Sequence, residues 1–220
     1  MNKLILLLFC FFSLARLGLA TGAEESFYCD KNDQYIYKNI SCCLTRVPKE
    51  KCEELIDRNL SISTLNRVES TLNSIRNGMW QWGGYPNCFW NAISYHDQNL
   101  ANTPSPLEVQ QFTYYLEKNY LPIIGREELE AGDIVVFDEN YLYWELGMNM
   151  QREWFKIYDL PNHAVIYLED DYVFQKESVL NEVFSIDKMD FILSQINIWI
   201  KKIKHTKDQY TTTRFYRRNI

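Results

Sequence analysis

Asn162-His163-Ala164-Val165-Ile166-Tyr167-Leu168-Glu169-Asp170-Asp171-Tyr172-Val173-Phe174-Gln175 reads as two short apolar runs joined by an acidic turn, the pattern of a β-hairpin. Ile134-Val135-Val136-Phe137 is an earlier run of the same kind, and alternation over Thr211 to Arg218 supplies a closing strand. Ahead of these strands the period is helical. Asn87 can cap a helix from Cys88 to about Leu100, and Pro104-Ser105-Pro106 introduces another from Leu107 to Lys118. Helices first and strands later predict an α+β domain with an antiparallel sheet. The closing strand carries Arg214, Arg217 and Arg218, which suits a solvated sheet edge where charge blunts further pairing.

Toward the N-terminus the texture changes twice. Lys3, the apolar run Leu4 to Leu14 and the small residues Gly18-Leu19-Ala20 form a signal peptide over residues 1–20, so the chain is expected to be exported, either periplasmic or secreted. That run is shorter than the ~20 apolar residues a bilayer span needs, and no later stretch reaches that length, so no integral membrane segment is expected after processing. Residues 21–78 read as an extension that is mainly helical, with Leu55, Ile56, Leu60, Val68, Leu72 and Ile75 at roughly helical spacing. Asn77-Gly78 is a turn signal, and residues 79–220 form the core domain. A net charge of −6 and a pI near 5.2 argue against nucleic acid as partner, since a phosphate backbone calls for a basic face. Asp30, Asn32 and Gln34 lack the glycine and the closing acid of a calcium loop, and no metal or cofactor site is expected.

Removing the signal takes Cys10 with it. Cys29, Cys42, Cys43 and Cys52 then cluster and are expected to form two disulfides in an oxidising compartment, Cys29 with either Cys42 or Cys43 and the other paired to Cys52. A bridge between the adjacent pair is strained. Cys88 is left as the odd thiol. At the first turn of its helix, unpaired N–H groups and the positive end of the dipole favour a thiolate. A thiolate nucleophile also needs a base that can later donate a proton, a task suited to histidine. His205 lies in a Lys-rich tail, and His96 sits too far along the Cys88 helix to reach back. His163, at a strand start after Pro161-Asn162, is the remaining partner. Gln175 can hold the imidazole ring, provided that the intervening loop is odd in length or carries a bulge. A plain two-residue turn at Asp170-Asp171 would put Gln175 on the wrong face.

In order, Trp80-Gln81-Trp82-Gly83-Gly84, Asn87-Cys88, Leu129 to Phe137, Asn162 to Leu168 and Gln175 resemble the motifs of the NlpC-type papain-like cysteine peptidases of bacterial cell walls. The resemblance covers roughly residues 79 to 178. It implies a papain-like core in which a helix carrying the cysteine packs on a sheet carrying the histidine. It also implies Cys88, His163 and Gln175 as the catalytic set, with Trp80, Trp82 and Asn87 near the substrate or the oxyanion, and a peptide or peptidoglycan fragment as substrate. Where the family usually has tyrosine, this chain has Trp80; Asn87 stands for the usual acid, and bulky Phe89 and Trp90 follow the nucleophile. The aromatic-rich connection Asp138 to Pro161 is longer than the family needs and is expected to line or cover the cleft. Acyl transfer to or from apolar substrates and a degenerate binding module are the alternatives to amide hydrolysis.

Overall fold

The computed structural model describes residues 29–77, 86–102, 105–146, 151–176, 183–203 and 205–219. The signal segment, Trp80, Trp82 and the glycines beside them lie outside these residues. The described elements are β1 (Gln34–Tyr37), β2 (Ile40–Cys43), α1 (Lys49–Asn59), α2 (Ile62–Arg76), α3 (Cys88–Ser94), α4 (Gln98–Ala101), α5 (Val109–Asn119), β3 (Tyr120–Ile123), β4 (Ile134–Leu146), β5 (Arg152–Tyr167), β6 (Tyr172–Lys176), β7 (Phe184–Lys188), α6 (Met189–Ile200) and β8 (Thr206–Arg218). The fold is α+β, as expected. All eight strands form one sheet in the order β1-β2-β7-β6-β5-β4-β8-β3.

The sheet is mixed rather than antiparallel. β2 runs parallel to β7, with Ser41 opposite Ser185 and Cys42 opposite Ile186. Residues 34–43 were expected inside a mainly helical extension, yet they make a hairpin that completes the sheet of the core domain. Lys38 and Asn39 both take positive φ, the geometry of a tight two-residue hairpin turn. Arg46 then grips Asp187 of β7 through two guanidinium nitrogens, at 2.8 and 2.7 Å. Periodicity missed this hairpin because its two strands are only four residues long.

Consecutive residues of a strand point to opposite faces, which settles the disulfides. Cys42 and Cys43 are neighbours on β2, so they cannot serve the same side. Cys42 bridges Cys52 on α1, and Cys43 bridges Cys29.

Both faces of the sheet are covered. Ile134, Val136, Ala164, Ile166 and Phe174 meet helices α1, α2, α3 and α5 through Leu55, Val68, Trp90 and Phe112. Val135, Phe137, Val165 and Val173 meet Met189, Ile192 and Ile196 of α6. Burial on both sides explains why β4 and β5 carry unbroken apolar runs instead of strict alternation.

Three further expectations change. The helix from Cys88 stops at Ser94, because Asp97 caps a separate α4 by accepting from the N–H groups of Asn99 and Leu100. β8 is an edge strand over only part of its length, because β3 pairs with Phe215–Arg218 and leaves Thr206–Arg214 with β4 alone among the described strands. It lies between β4 and the short β3, and its arginines make ion pairs: Arg214 with Asp138, Arg217 with Asp133. The described parts of the aromatic connection are strand, not lid. β4 and β5 continue pairing out to Leu146 and Arg152, and β8 runs along β4 as far as Thr206 opposite Tyr143.

Candidate functional site

Cys88 opens α3. Asn87 sets that start: its Oδ1 accepts from the Trp90 N–H at 3.0 Å and from the Leu107 N–H at 3.2 Å, while its Nδ2 donates to the Leu107 carbonyl at 2.7 Å. Asn87 therefore caps the helix and ties the next segment to it, using its amide oxygen twice and one of its two amide N–H groups. Farther along α3, buried Arg67 of α2 donates to Asn91 Oδ1 and Ser94 Oγ and lies over the Trp90 ring. No sequence signal marked Arg67, since an arginine on a helix is ordinarily solvated.

His163 and Gln175 come from β5 and β6. Asp170 and Asp171, both at positive φ, form a tight turn closed by the Tyr172 N–H on the Glu169 carbonyl at 2.8 Å. A plain continuation would set Tyr167 opposite Phe174. Instead Leu168 donates to the Tyr172 carbonyl, and Tyr167 stands opposite Val173. This one-residue slip is the bulge the sequence required. It puts His163, Val165, Val173 and Gln175 on one face, and His163 Nε2 lies 2.7 Å from Gln175 Oε1. An amide oxygen only accepts, so Nε2 carries the proton and Nδ1 is the acceptor nitrogen of the neutral ring.

Cys88 approaches from the helices on the opposite face. Paired residues of β5 and β6 are confined to Ile166–Phe174 and Tyr167–Val173, and α3 packs against both strands. The His163 ring and the backbone N–H groups of Phe89 and Ala164 lie close enough to act on the thiol and favour its charged form. The Ala164 N–H lies in the plane of the sheet, so the sulfur sits where β5 and β6 part, and there it meets an imidazole from the far face. Burial by itself would push the thiol up. The charge and hydrogen bond of His163 outweigh it with the two N–H groups, and the thiol falls below its ordinary value.

Cys88, His163 and Gln175 are thus brought together, all buried, with 8, 9 and 6 % of their surface exposed. His96 and His205 stay apart. His96 Nε2 lies 2.7 Å from the Gly132 carbonyl, and His205 packs edge-on to Trp144. The Ala164 N–H was not foreseen, because backbone groups leave no mark in a sequence. A cavity of about 210 Å³ borders His163 and Gln175 on the α6 side; its lining does not include Cys88.

Among the described residues no cluster of three or more histidine, cysteine, aspartate or glutamate side chains could hold a metal ion, and no helix is long and apolar enough to cross a membrane. No protein-family model, curated protein or solved structure matches this chain.

Proposed function

We propose that this chain is a cysteine hydrolase that cleaves an amide bond through a covalent acyl-enzyme. The observation that carries the reading is the Cys88–His163–Gln175 constellation, drawn from one helix and two strands, with a 2.7 Å bond from imidazole to amide and a thiol held below its ordinary value. Nucleophile, base and orienting group are the three parts such chemistry needs.

In the first step Cys88 gives its proton to His163 Nδ1, and the thiolate attacks the carbonyl carbon. The carbon–nitrogen bond breaks as the imidazolium returns the proton to the leaving amine. Water, deprotonated by His163, then adds to the thioester, and the carbon–sulfur bond breaks to release a carboxylic acid and the resting thiol. The Cys88 backbone N–H stabilises the oxyanion of both tetrahedral intermediates. Gln175 keeps the ring proton on Nε2 so that Nδ1 faces the sulfur throughout. The chemistry uses no cofactor. Export and the resemblance to cell-wall peptidases favour peptidoglycan stem peptides, in the periplasm or outside the cell, as the substrate.

The low exposure of Cys88 and His163 favours a second reading, a binding module that keeps the constellation without turnover. Wild-type protein and Cys88→Ala incubated with muropeptides separate the two. Peptide release by the wild type alone supports the hydrolase. No release, together with a Cys88 that iodoacetamide labels at pH 6 no faster than a free thiol, refutes it.

A further inference from the structure

The outer ends of β4, β5 and β8 form an arm whose exposed face belongs to neither core cluster. From Tyr141 opposite Ile157 to Leu146 opposite Arg152 the pairing is uninterrupted, so alternation sorts the side chains onto two faces. Trp144 and Leu146 share one face with Arg152, Trp154 and Lys156, and Lys207 joins them from β8, opposite Leu142. Glu145 and Glu153, the acids of this stretch, stand opposite each other on the other face. Asp159 and Asp208 lie nearer the root, both at positive φ beside the register shifts. The first face is thus apolar and cationic, with no carboxylate among its described residues.

Elsewhere in the molecule Arg46, Arg126, Arg214 and Arg217 each hold a carboxylate. Arg152, Lys156 and Lys207 lie over aromatic rings instead: the Arg152 guanidinium 4.4 Å from the Trp144 centroid, Lys207 Nζ 4.2 Å from that of Trp154, and Lys156 Nζ 5.9 Å from that of Tyr158. Leu146, Trp154 and Tyr158 are 56, 44 and 54 % exposed. Amphipathic rings beside unneutralised cations suit a boundary where hydrocarbon meets phosphate, since Trp and Tyr settle at headgroup level and long basic side chains reach the phosphates. A sugar or a nucleobase would need a bare ring face for stacking, and cations already cap both indoles. We infer that this face of the arm docks the protein on an anionic phospholipid bilayer. Tyr141 to Leu146 spans about 16 Å at ~3.3 Å per residue, two Debye lengths at physiological salt, so the tip meets the headgroups while the charge of the acidic body is screened. Attachment is peripheral and needs no spanning helix.

The test is vesicle co-sedimentation of residues 21–220, the chain left after signal removal, because Leu4 to Leu14 would itself bind lipid. Vesicles of phosphatidylcholine alone are compared with vesicles containing phosphatidylglycerol. Each Lys or Arg near an anionic surface contributes roughly fivefold in affinity, so three give on the order of 100-fold tighter binding to the anionic vesicles. High salt removes that preference. Arg152→Gln with Lys156→Gln and Lys207→Gln is expected to abolish it too, whereas Lys31→Gln with Lys49→Gln and Lys118→Gln, exposed cations on other elements, leaves it in place. Trp154→Ala weakens binding to both compositions, and serves if the triple arm variant does not unfold cooperatively.

Equal binding to both compositions, no binding to either, or a preference that survives the triple arm variant overturns the inference. So does wild-type affinity in Trp154→Ala. A single-stranded oligonucleotide or a glycan strand that binds more tightly than the anionic vesicles, with that binding lost in the same arm variant, also overturns it and gives the face to that polymer. None of these outcomes depends on turnover at Cys88, so the docking surface and the hydrolase reading stand or fall separately.

Discussion

Replacing Gln175 by methionine removes the acceptor of the His163 Nε2 proton while keeping length and volume close to those of glutamine. Both residues are buried, at 6 and 9 % exposure, and a thioether is at most a weak acceptor in place of the amide oxygen. A hydrogen bond to a charged group contributes about 1.5–3 kcal/mol, and the bond here strengthens when the ring is an imidazolium. Its loss therefore weakens the thiolate–imidazolium form relative to the neutral pair by about that amount. The Cys88 thiol accordingly rises in the variant, and at roughly 1.36 kcal/mol per factor of ten the thiolate–imidazolium population falls by about 10- to 150-fold. Alkylation by iodoacetamide, followed by intact mass at a series of pH values, reads this directly, because Cys88 is the free cysteine among the described residues. At pH 6 the variant is expected to label roughly 10- to 150-fold more slowly than the wild type, the fall in thiolate population that this rise implies. The two rates converge at high pH, where both thiols are ionised. Thermal unfolding that stays cooperative excludes a collapsed site. Labelling of Gln175→Met at the wild-type rate at pH 6 would refute the assignment of Gln175 as the group that positions His163.

Three further outcomes follow from the packing. Cys42→Ala with Cys52→Ala opens a loop with a sequence separation of 10 and is expected to cost ~3 kcal/mol, measured by urea unfolding; an unchanged midpoint would contradict a role in pinning α1 to the sheet. Arg214→Met strands the fully buried Asp138 carboxylate, which Arg214 holds at 2.5 and 2.6 Å. The expected loss at pH 7 is about 3 kcal/mol, the low end for a buried pair because Arg214 is one-third exposed. Burial already pushes Asp138 up, and losing the arginine pushes it further, so the loss shrinks as pH falls and the acid becomes neutral. A loss that grows on acidification would overturn this account. Burial likewise pushes His96 down, against the opposing pull of the Gly132 carbonyl. The unfolded chain then binds the proton more readily, so His96 adds stability that is complete above about pH 6.5 and declines as pH falls below it. His96→Gln is expected to flatten stability between pH 7 and 5, and an unaltered slope in chemical denaturation across that range would count against it.

What the sequence determined by itself is the local chemistry. The helical start at Cys88, the apolar strands around Val136 and Ile166, and the even cysteine cluster are all set by neighbours within a few residues, where capping, periodicity and turn residues act. Gln175 was legible conditionally: the sequence stated that only an odd loop or a bulge would serve, and the slip at Leu168 supplied it. The tertiary structure decided whatever depends on contacts between distant segments. The parallel seam between β2 and β7 joins residues far apart in the chain, and strands of four residues are too short to announce it. The disulfide pairing waited for the same event, because both sulfur positions were open until β2 fixed opposite faces for Cys42 and Cys43. The β8 arginines form ion pairs with Asp138 and Asp133, acids that β4 and the turn before it bring alongside, and only the tertiary structure makes those pairs. The reach of a thiol from one face of the sheet to an imidazole on the other needed β5 and β6 to part, a property of sheet curvature and packing that no window of sequence contains.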